Sequence, residues 1–307
     1  MTSSSSIALS FELFPAKGDL AKAGMRRCVR DLAHLNPRFF SVTYGANGSE
    51  RGRTLATLDE LQANGAGVPV AGHLTCAGGT RGEVLDTARA YEAAGARWVV
   101  ALRGDGADGA GTAYAVPEDG YAGAPELVAD LRAQTRLRIA VAGYPEPHPD
   151  SRGAALDMDH LKRKVDAGAD AIVTQFFFDN DVFFRYVEEV RKAGIDVPVV
   201  PGIMPIRDFD KVASFSRRCG AAIPTRLAER FALAKERGAT KELAMAVCAG
   251  QCDDLREAGV RALHFYTLND AALTLGTCQA LGLDPGKPVD GGERTDASAE
   301  IARPITA

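Results

Sequence analysis

Short apolar runs alternate along this chain with longer stretches of helical period. The runs lie near 7–13, 38–43, 68–74, 97–102, 138–143, 170–174, 197–202 and 261–265. Between them, apolar residues recur every three or four positions near 19–35, 52–64, 80–95, 124–134, 155–168, 181–194 and 207–219. Two more helical stretches, around 224–237 and 240–258, precede the last run, and one near 269–282 follows it. A period of 3.6 is that of a helix with one buried face. Ala-Gly-Ala at 94–96 and 167–169, Ala-Gly-Ile at 193–195 and Ala-Gly-Val at 258–260 close four of these helices. Glycine there suits a left-handed cap. The runs are continuous rather than alternating, as in parallel strands covered on both faces. Eight strands, each followed by a helix, predict an α/β fold, a (β/α)8 TIM barrel. An open doubly wound sheet is the runner-up, and the strand count and spacing speak against it. The two helices before the eighth strand would be an insertion. A single barrel domain is expected over 1–283, and the Gly-, Pro- and polar-rich tail 284–307 is expected to be disordered.

Composition narrows the class without changing that picture. The 307 residues are 46% hydrophobic and 25% charged, which suits a soluble globular protein with a substantial core. A net charge of -4 and a pI near 5.8 leave no footprint for nucleic acid. No apolar run reaches the ~20 residues of a membrane span. The first residues, MTSSSSIALSF, lack the basic start and apolar segment of a signal peptide. Six cysteines without a CxxC spacing point to a reducing, cytoplasmic setting.

A barrel of this kind carries its chemistry at the C-terminal ends of its strands. Those ends read Glu12, Tyr44, His73, Asp105, Tyr144, Gln175, the Pro-Gly-Ile-Met-Pro turn at 201–205, and Tyr266. Polar or aromatic side chains thus end seven strands of eight, where plain turns would give Gly, Asn and Ser. They predict one large polar pocket. Glu12 is the sharpest case, a carboxylate inside Leu-Ser-Phe-Glu-Leu-Phe. Its bland alternative is an acid paired with a nearby lysine. His73 and His148 could be structural histidines, Tyr44 and Tyr144 could cap the core, and Asp105 could be a turn residue. Asp179 is expected to N-cap the next helix.

Other motifs carry less. Gly104-Asp-Gly-Ala-Asp-Gly109 matches a dinucleotide fingerprint, but no helix follows it directly, and its two aspartates would repel a pyrophosphate. Cys248 and Cys252 lie one helical turn apart with no nearby ligand to complete a tetrahedral metal set, so no metal site is expected. In Asp157-Met-Asp-His-Leu-Lys-Arg-Lys164, Asp157, His160 or Leu161, and Lys164 share a helical face with Arg163 beside them. That face could serve a phosphate-bearing ligand or simply be solvated.

Taken together, SFELFP, FFSVTYGANGSER, HLTC, ALRGD, YPEPHP, LKRKVDAGAD, TQFFFD, PGIMPI and HFYTLN resemble the methylenetetrahydrofolate reductase family of the bacterial single-domain type. They run in order from about residue 10 to 270. The resemblance implies a barrel enzyme that holds FAD, takes a hydride from NADH or NADPH, and passes it to 5,10-methylenetetrahydrofolate. One flavin face would serve both substrates in turn, and identical chains are expected to associate. Glu12 corresponds to the family's general acid, and Asp105 to an aspartate beside the flavin and the pterin. Gln175 corresponds to a substrate-binding amide, with Tyr266 and, by looser alignment, Phe231 also toward substrate. FAD contacts would be Thr43, Tyr44, Ala46, His73, Arg103, Gly104, Asp105, Tyr121, Ala122, Tyr144, His148, Asp157, His160, Arg163 and Lys164. Position 160 is His where relatives carry Asn, and Ala16 stands where a second proline is usual. Position 270 is Asp where bacterial relatives commonly carry Arg against the folate's glutamate tail, so an aspartate is expected to repel that tail. Arg207 or Arg230 are then the nearby alternatives.

Three rivals stand beside this reading. A flavin-free reductase of the same fold would pass hydride directly from NADH to folate. A barrel lyase or aldolase would need a Schiff-base lysine at a strand end, yet Lys17 falls in a loop and Lys164 in a helix. A non-catalytic subunit would have no need of the Glu12, Asp105 and Gln175 set.

Overall fold

The computed structural model describes residues 7–44, 51–64, 67–105, 114–149, 151 and 153–283. The expected tail, Ala46 and residues 106–109 of the glycine-rich loop lie outside them. Eight strands are β1 (Ala8–Leu13), β2 (Phe40–Val42), β3 (Val70–Thr75), β4 (Trp98–Leu102), β5 (Arg138–Gly143), β6 (Ala171–Phe176), β7 (Val199–Ile203) and β8 (Ala262–Tyr266). They form a closed barrel in sequence order. β8 returns to β1 in parallel, from Ala8 opposite Ala262 to Glu12 opposite Tyr266, and this closure rules out the open sheet.

Helices α1 (Gly18–Ala33) through α7 (Phe209–Cys219) each follow one strand: α2 is Arg51–Asn64, α3 Arg81–Ala93, α4 Ala124–Gln134, α5 Ala154–Asp166 and α6 Asn180–Lys192. The extra pair, α8 (Thr225–Glu236) and α9 (Thr240–Glu257), precedes β8, and α10 (Ala272–Ala280) follows it. Asp179 does cap α6, accepting from the Asp181 amide at 3.1 Å.

The strands read as uniformly apolar, yet their two faces do different work. Outward residues such as Phe11, Leu13, Val42, Ile139 and Ile172 join the layer between sheet and helices. Inward residues Phe39, Ala71, Trp98, Ala140, Ala171, Val173 and Val200 fill the lower barrel. This is the period of two that a pleated strand imposes. Gly202 on β7 admits no side chain, because a Cβ there would meet Thr174 O at 2.2 Å and the Tyr266 ring at 2.6 Å. The closeness lets the Tyr266 hydroxyl reach across β7 and donate to Thr174 O at 2.8 Å.

Candidate active site

Glu12 sits one residue before the end of β1, and its carbonyl is gripped from β8. Thr267 donates to it through Oγ1 at 2.6 Å and through its amide at 3.3 Å. The side chain enters a cavity of about 340 Å3 at the barrel mouth. All seven side chains that the strand ends nominated line that cavity: Glu12, Tyr44, His73, Asp105, Tyr144, Gln175 and Tyr266. The turn at 201–205 contributes Met204, and Thr43 completes the β2 side. Among the described lining residues there is no lysine or arginine. The lysine-paired alternative for Glu12 therefore has no partner here.

Burial decides the charge state. It pushes the Glu12 carboxyl up from 4.5 to about 8, because an ion would lose its hydration there. The same burial pulls His73 down to about 4. Glu12 Oε2 lies 3.4 Å from His73 Nε2. At neutral pH this is a contact between a protonated acid and a neutral imidazole, not an ion pair. One turn of the strand deeper, Ser10 Oγ bonds His264 Nδ1 at 2.8 Å, and burial holds that imidazole neutral as well, down to about 3.

Tyr144 joins this mouth to a second space. A groove of about 760 Å3 runs between α5 and α6, walled by Tyr144, Met158, Leu161 and Tyr186, with Asp157 and Lys164 among its polar groups. Lys164 is buried, donates to Ala142 O at 2.6 Å, and is lowered by burial to about 8. Asp157 accepts from the His148 amide at 3.1 Å, and the His148 ring stands edge-on to Tyr144 at 4.7 Å.

The helical face read from 157 to 164 thus splits. Asp157 and Lys164 face the groove, whereas His160 and Arg163 are exposed and line neither space. Arg163 instead pairs with Asp159 at 3.0 Å. Arg103 lies over the Tyr114 ring at 5.7 Å, and Gly104 adopts φ +84° with no room for a Cβ beside Ala77 and Thr75.

Tyr121 is fully buried under Arg81 and donates to Asp130 at 2.9 Å, while the Ala122 amide is bonded to Glu126. Phe231 packs on Phe209 at 4.8 Å, in the cluster that also holds the lining residues Phe176 and Met204, and does not itself line the cavity. Reading strand ends missed Phe14, Phe215, His264 and Leu268, all of which line the mouth. The period of two would have found His264, two residues before Tyr266.

A closed α/β barrel with a buried acid at a polar C-terminal mouth defines an enzyme of the barrel class. The sequence model of methylenetetrahydrofolate reductase matches residues 1–282, and the chain belongs to that family, oxidoreductases of folate one-carbon metabolism. The 5,10-methylenetetrahydrofolate reductase of Salmonella typhimurium is 38% identical over 281 residues, covering 91% of this chain and 92% of its own length. The Escherichia coli enzyme gives the same figures, 38% over 281 residues, with 91% and 92% covered. Methylenetetrahydrofolate reductase (NADH) 1 of Zea mays is 36% identical over 289 residues, covering 90% of this chain and 48% of its own. Among solved structures, a Clostridium thermocellum protein described as binding two copies of 5-methyl-5,6,7,8-tetrahydrofolic acid superposes with a TM-score of 0.56 at 12% identity, covering 90% of this chain and 94% of its own. At that identity the likeness speaks for the fold alone. No helix among the described residues is long and apolar enough to cross a membrane.

Proposed function

We propose that this protein reduces 5,10-methylenetetrahydrofolate to 5-methyltetrahydrofolate, with FAD as hydride carrier, NADH or NADPH as donor, and Glu12 as general acid. The observation that carries it is the Glu12 carboxyl at the barrel mouth, buried, with no lysine or arginine among the described residues lining its cavity, and protonated at neutral pH. Such a group can give a proton and then hold the charge only transiently, which suits general acid catalysis. Glu12 donates to N10, the N10–CH2 bond breaks, and an N5 iminium is left that accepts hydride at its carbon. Gln175 offers an amide to the substrate's polar edge from the same wall.

The residues fit a flavin dinucleotide. The mouth is walled by Tyr44, Tyr144 and Tyr266 with Thr43 and His73 as polar contacts, and His73 Nε2 is buried without a hydrogen bond. Tyr144 leads into the α5–α6 groove, where Lys164 and Asp157 suit a phosphate and a hydroxyl-bearing ligand. When bound, FAD supplies a two-electron carrier that takes hydride from NAD(P)H and releases it to the substrate. Asp105 adds negative charge to the cavity, and in this reading that disfavours an anionic reduced ring. Action in the cytoplasm by an assembly of identical chains completes the reading.

The test is the visible spectrum of the purified protein, followed without air as NADH and then methylenetetrahydrofolate are added. A yellow protein that bleaches with NADH and recovers with folate is expected. A colourless protein that reduces folate even without added FAD overturns the cofactor assignment in favour of direct transfer.

A further inference from the structure

The residues at the mouth are held from behind by the helices, and not all in the same way. Thr54 on α2 donates through Oγ1 to Thr43 O at 3.0 Å, and Tyr91 on α3 donates to His73 O at 3.1 Å. Gly72 makes room for the second contact, because a Cβ there would stand 2.3 Å from the Tyr91 ring. Both bonds fix backbone. Tyr44 is held at its tip, where Arg51 Nε donates to the hydroxyl at 2.9 Å. Arg51 is the first residue of α2, so its cation sits against the helix dipole and is not there for the helix's sake. Its Nη2 reaches over Gly79 in the β3–α3 turn, where a Cβ would come within 2.9 Å of that nitrogen and 3.0 Å of Glu83 Oε2. Glu83 forms the capping box of α3 with Thr80, and the Thr80 bonds, followed by the Arg51 charge, hold its carboxyl below the ordinary range. The half-buried guanidinium is thus set between an acid and the back of the cavity wall, and Arg51 does not line the cavity itself.

We propose that Arg51 is a positioning residue for the mouth: through the hydroxyl it fixes the Tyr44 ring in one orientation, and so sets how tightly the planar flavin ring is bound. The proposal rests on the flavin reading above and names a residue of this chain that acts on the site without entering it. An aromatic wall left free must be ordered when its ligand arrives, and every side chain immobilised on binding weakens the complex. A ring already locked by its supporting contacts carries no such cost. The lock is a strong one, because a hydrogen bond from a charged donor exceeds one between neutral groups. A guanidinium also has donors to spare, so one nitrogen can hold Tyr44 while another faces the α3 side.

The experiment frees the full-length protein of flavin and titrates it with FAD and with riboflavin, following flavin fluorescence. Arg51→Met keeps the length of the side chain and loses its donors, so Kd for FAD should rise about three- to tenfold. Tyr44→Phe loses the acceptor and should match it. Because each change removes the same contact, the double variant should bind no more weakly than either single one. Arg51→Lys restores a donor and the charge, and should recover most of the affinity. Riboflavin carries the ring without the phosphates, so the same ratios are expected for it. A merely structural Arg51 would lower Tm while the folded protein bound flavin as wild type does. That outcome, additive losses in the double variant, or a loss confined to FAD overturns the proposal and leaves the flavin reading intact. A wild-type protein that takes up no flavin overturns that reading and the proposal with it.

Discussion

The floor and the mouth of this barrel are made by the same strands, two or four residues apart. At the floor, Phe39 and Trp98 pack at 5.5 Å, alanines at 71, 140, 171 and 262 close around them, and about 20 Å3 remains. Moving up, Ala71 gives way to His73, Ala140 to Ala142 and Tyr144, Ala171 to Val173 and Gln175, and Ala262 to His264 and Tyr266. Both regions are buried, so burial is not what separates them. The difference is satisfaction. The floor's alanines and rings ask for no partner and its Ser10 finds one in His264, whereas at the mouth His73 Nε2 is buried without a hydrogen bond and Glu12 keeps its proton. Unsatisfied polarity of this kind is tolerated where function requires it. On the proposed function, stability resides below and reactivity above.

The largest expected effect separates the two regions outright. Glu12→Gln should slow folate reduction by about 10²–10⁴-fold. Reduction of the protein by NAD(P)H should continue, and stopped-flow of the two half-reactions reads both. If the folate step stayed within a few-fold of wild type, the mouth's acid would lie elsewhere. Trp98→Ala is the mirror case at the floor. It should cost roughly 3–5 kcal/mol of stability by denaturant titration, with activity per folded molecule unchanged.

A pH comparison sharpens the contrast within one residue. The folded pKa of Glu12, about 8, exceeds its ordinary 4.5, so its contribution is present below pH 4.5 and is lost as pH rises through 8. Between those values Glu12→Gln should gain on wild type by at most about 1.4 kcal/mol per pH unit, read from denaturation at pH 6 and pH 8. A constant gap would mean that Glu12 is ionised in the fold. The smallest effect belongs to a mouth residue with a structural hydroxyl. Tyr266→Phe loses the bond to Thr174 O and should cost about 0.5–1.5 kcal/mol, measured as a shift in unfolding midpoint.

Local pattern made the fold legible, because each βα unit announces itself within some thirty residues and each strand end names its own mouth residue. Glu12 stood out for the same reason, as a charge where the period demanded none. Long-range facts were less accessible. Asp270 read as a group that repels the substrate's tail, yet it is occupied by Arg207, a pairing that only the meeting of two loops reveals. His264 was passed over because its strand was read from its last residue alone. Phe231 and Tyr121 came from resemblance, and neither position carries a local signal for how its ring packs. The split of the α5 face into groove-facing Asp157 and Lys164 and exposed His160 and Arg163 depends on where α6 lies, which helical period does not encode.

The grip of Thr267 on the Glu12 carbonyl has a consequence for how the enzyme comes into being. The two residues are 255 positions apart, and β1 borders β8 directly. During synthesis β1 emerges long before the strand that seats it, so its apolar face and its acid wait while the rest of the barrel is made. Pairing across such a separation carries a loop-closure cost and comes late in folding. On the proposed role of Glu12, catalytic competence therefore arrives last, with the seam, and any lesion that loosens β8 should silence Glu12 before it unfolds the remaining strands.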